Sequence, residues 1–367
     1  MLYDLEQKEY IDFLSGISVT NLGHGEADIV EAIREQAERI IHSSNLYYNA
    51  EQAQFAEALI LHTFPGKVFF SNSGAEANEA AFKLMRRHGQ LNKSGAQRII
   101  ATEHSFHGRT AAAMAMTGNT KIRTGFGNLL PEISHIPADL TTLERTFEQY
   151  GGEICGMIFE IVQGEGGINP LPVDFVRRAR ELCTQYNAVL VVDEIQTGLG
   201  RTGKLFAFEH YDILPDAMSL AKSLGGGLPL GALIISEEHA ATLEAGMHGS
   251  TFGGNHLACR VGFEILRILV GREIVDNVNA MSEYFFQRLK MMQEKVPAIQ
   301  EVRGIGLMIG IELDRPSRPV AARCLEKGLI VNATADTVIR LLPPLILTED
   351  AIPFFIELLK KALTEVE

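Results

Sequence analysis

Apolar and polar residues follow two rhythms along the chain. Short, almost wholly apolar runs at 98–102, 154–162, 188–192, 217–221 and 230–235 are bounded by turn-forming residues, as buried strands are. A further β-rich run starts at Lys67. Other stretches keep the period of a helix. Residues 28–41 put Ile29, Ala32, Ile33, Gln36, Ala37 and Ile40 on one face, and 174–186 do so with Phe175, Ala179, Leu182 and Tyr186. Helices are also expected at 52–62, from Ser73 onward, at 237–245, at 256–270 and at 274–295. The opening residues 2–14 read as a hairpin that turns near Glu6-Gln7-Lys8. A glycine-punctuated loop follows, from Gly16 to Gly25.

Strand 154–162, helix 174–186 and the strand ending at Asp193 make a βαβ unit, which calls for a parallel sheet. The tail alternates differently: strand 305–313, helix 318–327, strands 329–333 and 337–342, and a closing helix. That helix carries Ile352, Phe355, Ile356, Leu359 and Leu363 on one face, and Pro353 limits its start to near Asp350. The expected fold is α/β: a large domain with a mostly parallel central sheet flanked by helices, plus a smaller α+β domain. The expected division is a segment 1–50 packing with the small domain, a large domain 51–258 and a small domain 259–367.

With 367 residues, 46% of them hydrophobic, the chain can bury a large core. Its net charge of −13 argues against a nucleic-acid surface. The four cysteines are far apart with no CxxC, so neither a metal site nor a disulfide framework is expected. No basic-then-apolar leader opens the sequence, and no run approaches the roughly 18 apolar residues of a membrane span. The expectation is a cytoplasmic protein with no membrane or nucleic-acid partner.

The candidate chemistry lies where two strands end. One apolar run stops at Asp193; another stops at Lys222, with Gly225-Gly226-Gly227 close behind. Strand ends are where open α/β sheets hold ligands. A lysine there can form a Schiff base with an aldehyde cofactor, pyridoxal phosphate, and a carboxylate can keep that cofactor's ring nitrogen protonated. Alone, each residue is as easily a solvated surface lysine and a turn-forming aspartate. Ser73 and Glu76 have capping-box spacing at the start of a helix that follows a strand, a place suited to a phosphate with Gly74 allowing close approach. Phe106 could lie on a flat ring and Arg109 could fork onto a carboxylate. Glu160 and Arg340 are charges inside apolar runs and need partners. The stretch from His248 to Asn255 offers hydroxyl donors for a phosphate contact.

Taken together and in order, these segments resemble a known family, the class III pyridoxal-phosphate-dependent aminotransferases of fold type I. The resemblance rests on L-G-H-G (22–25), S-N-S-G-A-E-A-N-E (71–79), H-S-F-H-G-R-T (104–110), Q-G-E-G-G (163–167), V-D-E-I-Q-T-G-L-G-R-T-G (192–203), A-K-S-L-G-G-G (221–227) and H-G-S-T-F-G-G-N (248–255). It implies pyridoxal 5'-phosphate as cofactor, Lys222 as the Schiff-base lysine and Asp193 as partner of the ring nitrogen. It implies that Gln196 reaches the phenolic oxygen and that Ile195 and Phe106 sandwich the ring. Ser73, Gly74 and Ala75 would hold the phosphate, Glu194 would belong to the cofactor-binding segment, and Thr251 would reach the phosphate of a partner subunit. Arg109 and Ser250 would meet the substrate. Glu165 and Arg340 would pair for an ω-amino donor and separate for a dicarboxylate. The branch most resembled takes N-acetylornithine as amine donor and 2-oxoglutarate as acceptor, in a homodimer with shared active sites. Alternatives within the fold are ornithine, succinylornithine, 4-aminobutyrate or an acylated lysine precursor as donor, a glutamate-1-semialdehyde aminomutase, or a non-catalytic relative. Four positions depart from the family pattern: Ile161 after Glu160 and His256 after Asn255, where prolines are usual, and Glu26-Ala27 where His-Pro is common.

Overall fold

The computed structural model describes residues 1–366. Seven strands form the central sheet, in the order Gly66–Ser71, Gly231–Ser236, Ala217–Leu220, Val189–Asp193, Ile154–Glu160, Arg98–Thr102, Ile133–Ile136. All pairings are parallel except those of Gly231–Ser236, which is antiparallel to both its neighbours. The inner strands Ile154–Glu160, Val189–Asp193 and Ala217–Leu220 are buried along their whole length because both faces are covered. Alternation along one strand shows it. Val189 and Val191 pack with Ala80, Ala81, Leu84 and Met85 of the helix Gly74–Asn92. Leu190 and Val192 belong instead to the cluster holding Phe175, Val176 and Ala179 of the helix Val173–Gln185.

The second sheet lies in the C-terminal part, in the order Ile299–Ile305, Met308–Leu313, Val338–Leu341, Asn332–Thr334. The amino-terminal hairpin joins this part of the molecule. Its strand Glu9–Asp12 pairs with Leu329–Ile330, and Phe13 packs against Phe285 and Phe355. Among the described residues no helix is long and apolar enough to cross a membrane. All four cysteines are free and buried.

Most expected elements are present within a few residues, with two corrections. Residues 237–245 are turns, not a helix: Ala240 and Thr242 bond back three residues, to Glu237 and His239, and the pattern stops there. The run expected as one strand at 305–313 is the second arm of a hairpin. Ile299–Ile305 is its first arm, and Gly306 makes the turn at φ 62°.

This topology decides where chemistry can happen. The strands ending in Thr102, Glu160, Asp193 and Leu220 point the same way, so the loops beginning at 103, 161, 194 and 221 meet at one edge of the sheet.

Candidate active site

At that edge a pocket of about 480 Å³ is lined by Ser73, Gly74, Ala75, Phe106, Arg109, Ile195 and Lys222, among others. The size suits a small ligand. A larger cleft of about 750 Å³ borders Glu165 but contains neither Lys222 nor Ile195. The smaller pocket therefore has the residues that a reactive aldehyde ring needs.

One end of the pocket is the N-terminus of the helix Gly74–Asn92. Ser73 caps it, accepting from Glu76 N at 3.2 Å. The return arm of the expected capping box lands one residue early, on Asn72 N at 2.6 Å. Gly74 and Ala75 thus line the pocket from the dipole-positive end of a helix, where an anion is favoured. Gly74 also leaves necessary room. A Cβ there would lie 2.7 Å from Cδ1 of Ile195.

Asp193 is 3% exposed and held from three sides. His107 Nδ1 is 2.7 Å and Asn78 Nδ2 2.8 Å from its Oδ2, while Ile195 N donates to Oδ1 at 3.1 Å. These three donors fix the carboxylate in place as an acceptor. His107 Nε2 is buried without a hydrogen-bond partner. Glu160 lies nearby and accepts from Phe106 N at 2.9 Å and Gly164 N at 3.2 Å. Burial pushes its carboxyl above the usual range; His107 opposes that shift and the charge on Asp193 adds to it.

Ser219 is in register with Asp193 on the neighbouring strand, and Lys222 follows three residues on. The backbone of Lys222 is left-handed, at φ 49°, which is uncommon for a residue with a Cβ and is typical of constrained functional sites. Desolvation, and then the nearby Arg340, lower its ammonium to about 8, while Glu165, Glu160 and Asp193 pull the other way. The neutral amine, which attacks carbonyls, is correspondingly accessible near physiological pH.

Arg340 answers its sequence puzzle. It is 1% exposed, yet its Nη1 reaches Glu165 Oε1 at 2.7 Å and its Nη2 donates to Asn332 Oδ1 at 2.7 Å. Glu165 is 31% exposed at its side chain, so the carboxylate has room to leave while Asn332 retains the guanidinium. Gln196 points its amide oxygen towards the same Arg340 Nη1, at 3.4 Å. Gly164 allows this, because a Cβ there would sit 2.5 Å from the Gln196 amide.

The remaining expected residues are spread around this centre. The Arg109 guanidinium lies 5.9 Å from the Phe106 ring at the exposed mouth. Ser250 Oγ accepts from Asn72 Nδ2 at 3.1 Å, beside the helix start, and Thr251 is exposed. Glu194 is directed elsewhere: it is 1% exposed, takes the Thr197 hydroxyl, and accepts from Phe208 N at 2.9 Å. Its carboxylate clamps the loop that carries Ile195 and Gln196. Sequence reasoning missed Asn78, Asn332 and the part of His107. Both Asn78 and His107 lie inside quoted segments, but only the fold shows that they meet at Asp193.

The donor set fits pyridoxal phosphate: a buried carboxylate, an amine of lowered basicity, Phe106 and Ile195 in the lining of one pocket, and a helix N-terminus for an anion. The family model for class III aminotransferases matches residues 1–363. The chain is 43% identical to an acetylornithine aminotransferase of Caldanaerobacter subterraneus subsp. tengcongensis, over all of this chain and 93% of that protein. It is 42% identical to one of Aquifex aeolicus, over 99% and 94%. Among solved structures it resembles the ornithine aminotransferase of Toxoplasma gondii, with TM-score 0.93 and 31% identity over 99% of this chain and 88% of that one. It also resembles the acetylornithine aminotransferase of Elizabethkingia anophelis, with TM-score 0.87 and 32% identity over 99% and 91%. With its sheet, pocket and whole length accounted for in this way, the chain belongs to the class III aminotransferases and depends on pyridoxal phosphate.

Proposed function

We propose that the chain moves the distal amine of N-acetylornithine to 2-oxoglutarate, giving N-acetylglutamate 5-semialdehyde and glutamate, and so serves arginine synthesis in the cytoplasm. The observation that carries this reading is the Arg340–Glu165 pair beside Lys222, at 2.7 Å. A neutralised arginine suits a donor whose reacting end is an uncharged amine. A released arginine suits a dicarboxylate. The names of the relatives at 40–43% identity support the same donor.

When bound, the cofactor supplies an electron sink for the substrate carbon that carries the amine. The chain's own residues do the rest. Lys222 would hold the cofactor's aldehyde through its amine and, once displaced by the donor's amine, would be the base that takes the proton from the substrate carbon. Asp193, fixed by His107 and Asn78, keeps the ring nitrogen cationic. Ser73, Gly74 and Ala75 would hold the phosphate, Gln196 would meet the phenolic oxygen, and Phe106 and Ile195 would confine the ring. Arg109 grips the donor's α-carboxylate, which leaves the distal amine facing Lys222. Ser250 borders the donor.

The working unit of this reading is a homodimer. Leu46, Tyr47, Tyr48 and Phe252 are each more than 60% exposed, more apolar surface than a monomer usually leaves in one region. Thr251 is exposed beside them, available to the phosphate of a second copy. Residues 51–258 form the large domain in this reading, 259–367 the small one, with 1–50 packed beside it. Steady-state assays with N-acetylornithine, succinylornithine, ornithine and 4-aminobutyrate test the donor; a tenfold or greater preference for unmodified ornithine would overturn it.

A further inference from the structure

His256 stands where the family usually has proline, and its surroundings give it a task. It is the first residue of the helix His256–Gly271, and Asn255 caps that helix by accepting from Ala258 N at 2.9 Å. The His256 ring is 7% exposed and bonded at both nitrogens. Nδ1 is 2.7 Å from Glu51 Oε2, and Nε2 is 2.8 Å from Ser43 Oγ. Glu51 lies in the first turn of the helix Ala50–Leu61, and Ser43 belongs to the segment before it.

That segment is clamped onto the loop preceding His256. Asn45 Nδ2 donates to Ser250 O at 3.0 Å and to Gly253 O at 2.9 Å. Asn49 Nδ2 donates to Gly254 O at 2.9 Å, and Gln52 Nε2 reaches the same oxygen at 3.1 Å. The backbone of the Ser250–Gly254 loop is thus gripped by 43–52 through its carbonyls, and His256 ties the two ends of the grip together. Thr251 sits in the middle of that loop and remains exposed.

We propose that His256, through Glu51 and Ser43, is a positioning residue that sets Thr251 for the phosphate of the cofactor bound in a second copy of the chain. The inference rests on the dimeric reading above. It assigns His256 no contact with cofactor or substrate.

The backbone makes a clean test possible. Asn255 has φ −60° and ψ 155°, conformations allowed before proline, and proline is well accepted at the first position of a helix. His256→Pro therefore removes the ring's two links with little cost to the helix. The quantity to measure is the ratio of affinities for pyridoxal phosphate and pyridoxal, titrated by absorbance into apoprotein. Thr251→Val is run beside it, and the mass of each variant is followed by light scattering. The expected result is a ratio lowered about fivefold or more in both variants, with pyridoxal affinity unchanged and His256→Gln intermediate. An unchanged ratio in His256→Pro beside a lowered one in Thr251→Val would overturn the role of His256 and leave the phosphate reading intact. An unchanged ratio in Thr251→Val would overturn both.

Discussion

His107 Nδ1 lies 2.7 Å from Asp193 Oδ2, with neither side chain more than 3% exposed. The imidazole acts on the reaction through the carboxylate: with Asn78 on the same oxygen, it fixes the plane of Asp193. A hydrogen bond to a buried charge contributes about 1.5–3 kcal/mol. His107→Phe should therefore lower kcat by roughly tenfold to a hundredfold at that magnitude. His107→Asn, which can place an amide near Nδ1, should recover part of it. Single-turnover rates with both variants check this, and equal rates for His107→Phe and wild type would count against the arrangement.

Lys222 sets a pH dependence. Its ammonium is lowered to about 8, and the neutral form is the one that condenses with an aldehyde. Raising the pH removes the proton, so the rate at which apoprotein captures pyridoxal phosphate should climb through a midpoint near 8, well below the ordinary value of about 10.4. Stopped-flow absorbance between pH 6.5 and 9.5 reads it directly. Lys222→Ala should lose turnover altogether while still retaining the cofactor by its phosphate, which equilibrium dialysis can show.

Removing the acid of the switch should loosen donor choice. In Glu165→Ala, Arg340 keeps Asn332 but loses its carboxylate partner. Glutamate should then become a better first substrate and N-acetylornithine a worse one. Unchanged donor ratios in the half-reactions would contradict the switch.

Gly74→Ala tests the slot. The new methyl meets Ile195 Cδ1 at 2.7 Å and its Cγ2 at 3.1 Å, so the Ile195 side chain, which also lines the pocket, must shift. Cofactor affinity should fall by at least fivefold. The melting temperature of the apoprotein should change by only a few degrees, since the residue is the first of a long helix.

Glu194 gives a stability test. Burial raises its carboxyl to about 7, with the Thr197 and Phe208 bonds only partly offsetting this. A raised carboxyl contributes stability that is complete below its unfolded value of about 4.3 and is lost as pH rises through its folded one. Wild type should therefore lose more stability than Glu194→Gln between pH 5 and 7.5. Urea unfolding of the two apoproteins at both values decides it.

The central sheet was legible because its strands are buried on both faces and bounded by turns, so period and length agreed. The strand Ile133–Ile136 and the helix Leu140–Tyr150 went unread; the strand is only four residues long and polar at Ser134 and His135. Residues 237–245 resembled a helix by composition, but of their hydrophobic side chains only Leu243 packs on the core. The site was legible where a residue's type and position at a strand end limit its use, as with Lys222 and Asp193. It was not legible where the meaning lies in a meeting of distant residues. Asn78 with Asp193 and Glu51 with His256 carry no local signal, because each pair is joined only by the fold; Asn332 meets Arg340 through the register of two neighbouring strands.

The most direct test is a spectral titration of holoprotein with single amines in the absence of any oxo acid. N-acetylornithine should convert the lysine-bound cofactor to its amine form at a lower concentration, and faster, than ornithine, succinylornithine or 4-aminobutyrate. No conversion by any amine, or conversion that survives intact in Lys222→Ala, would contradict the account.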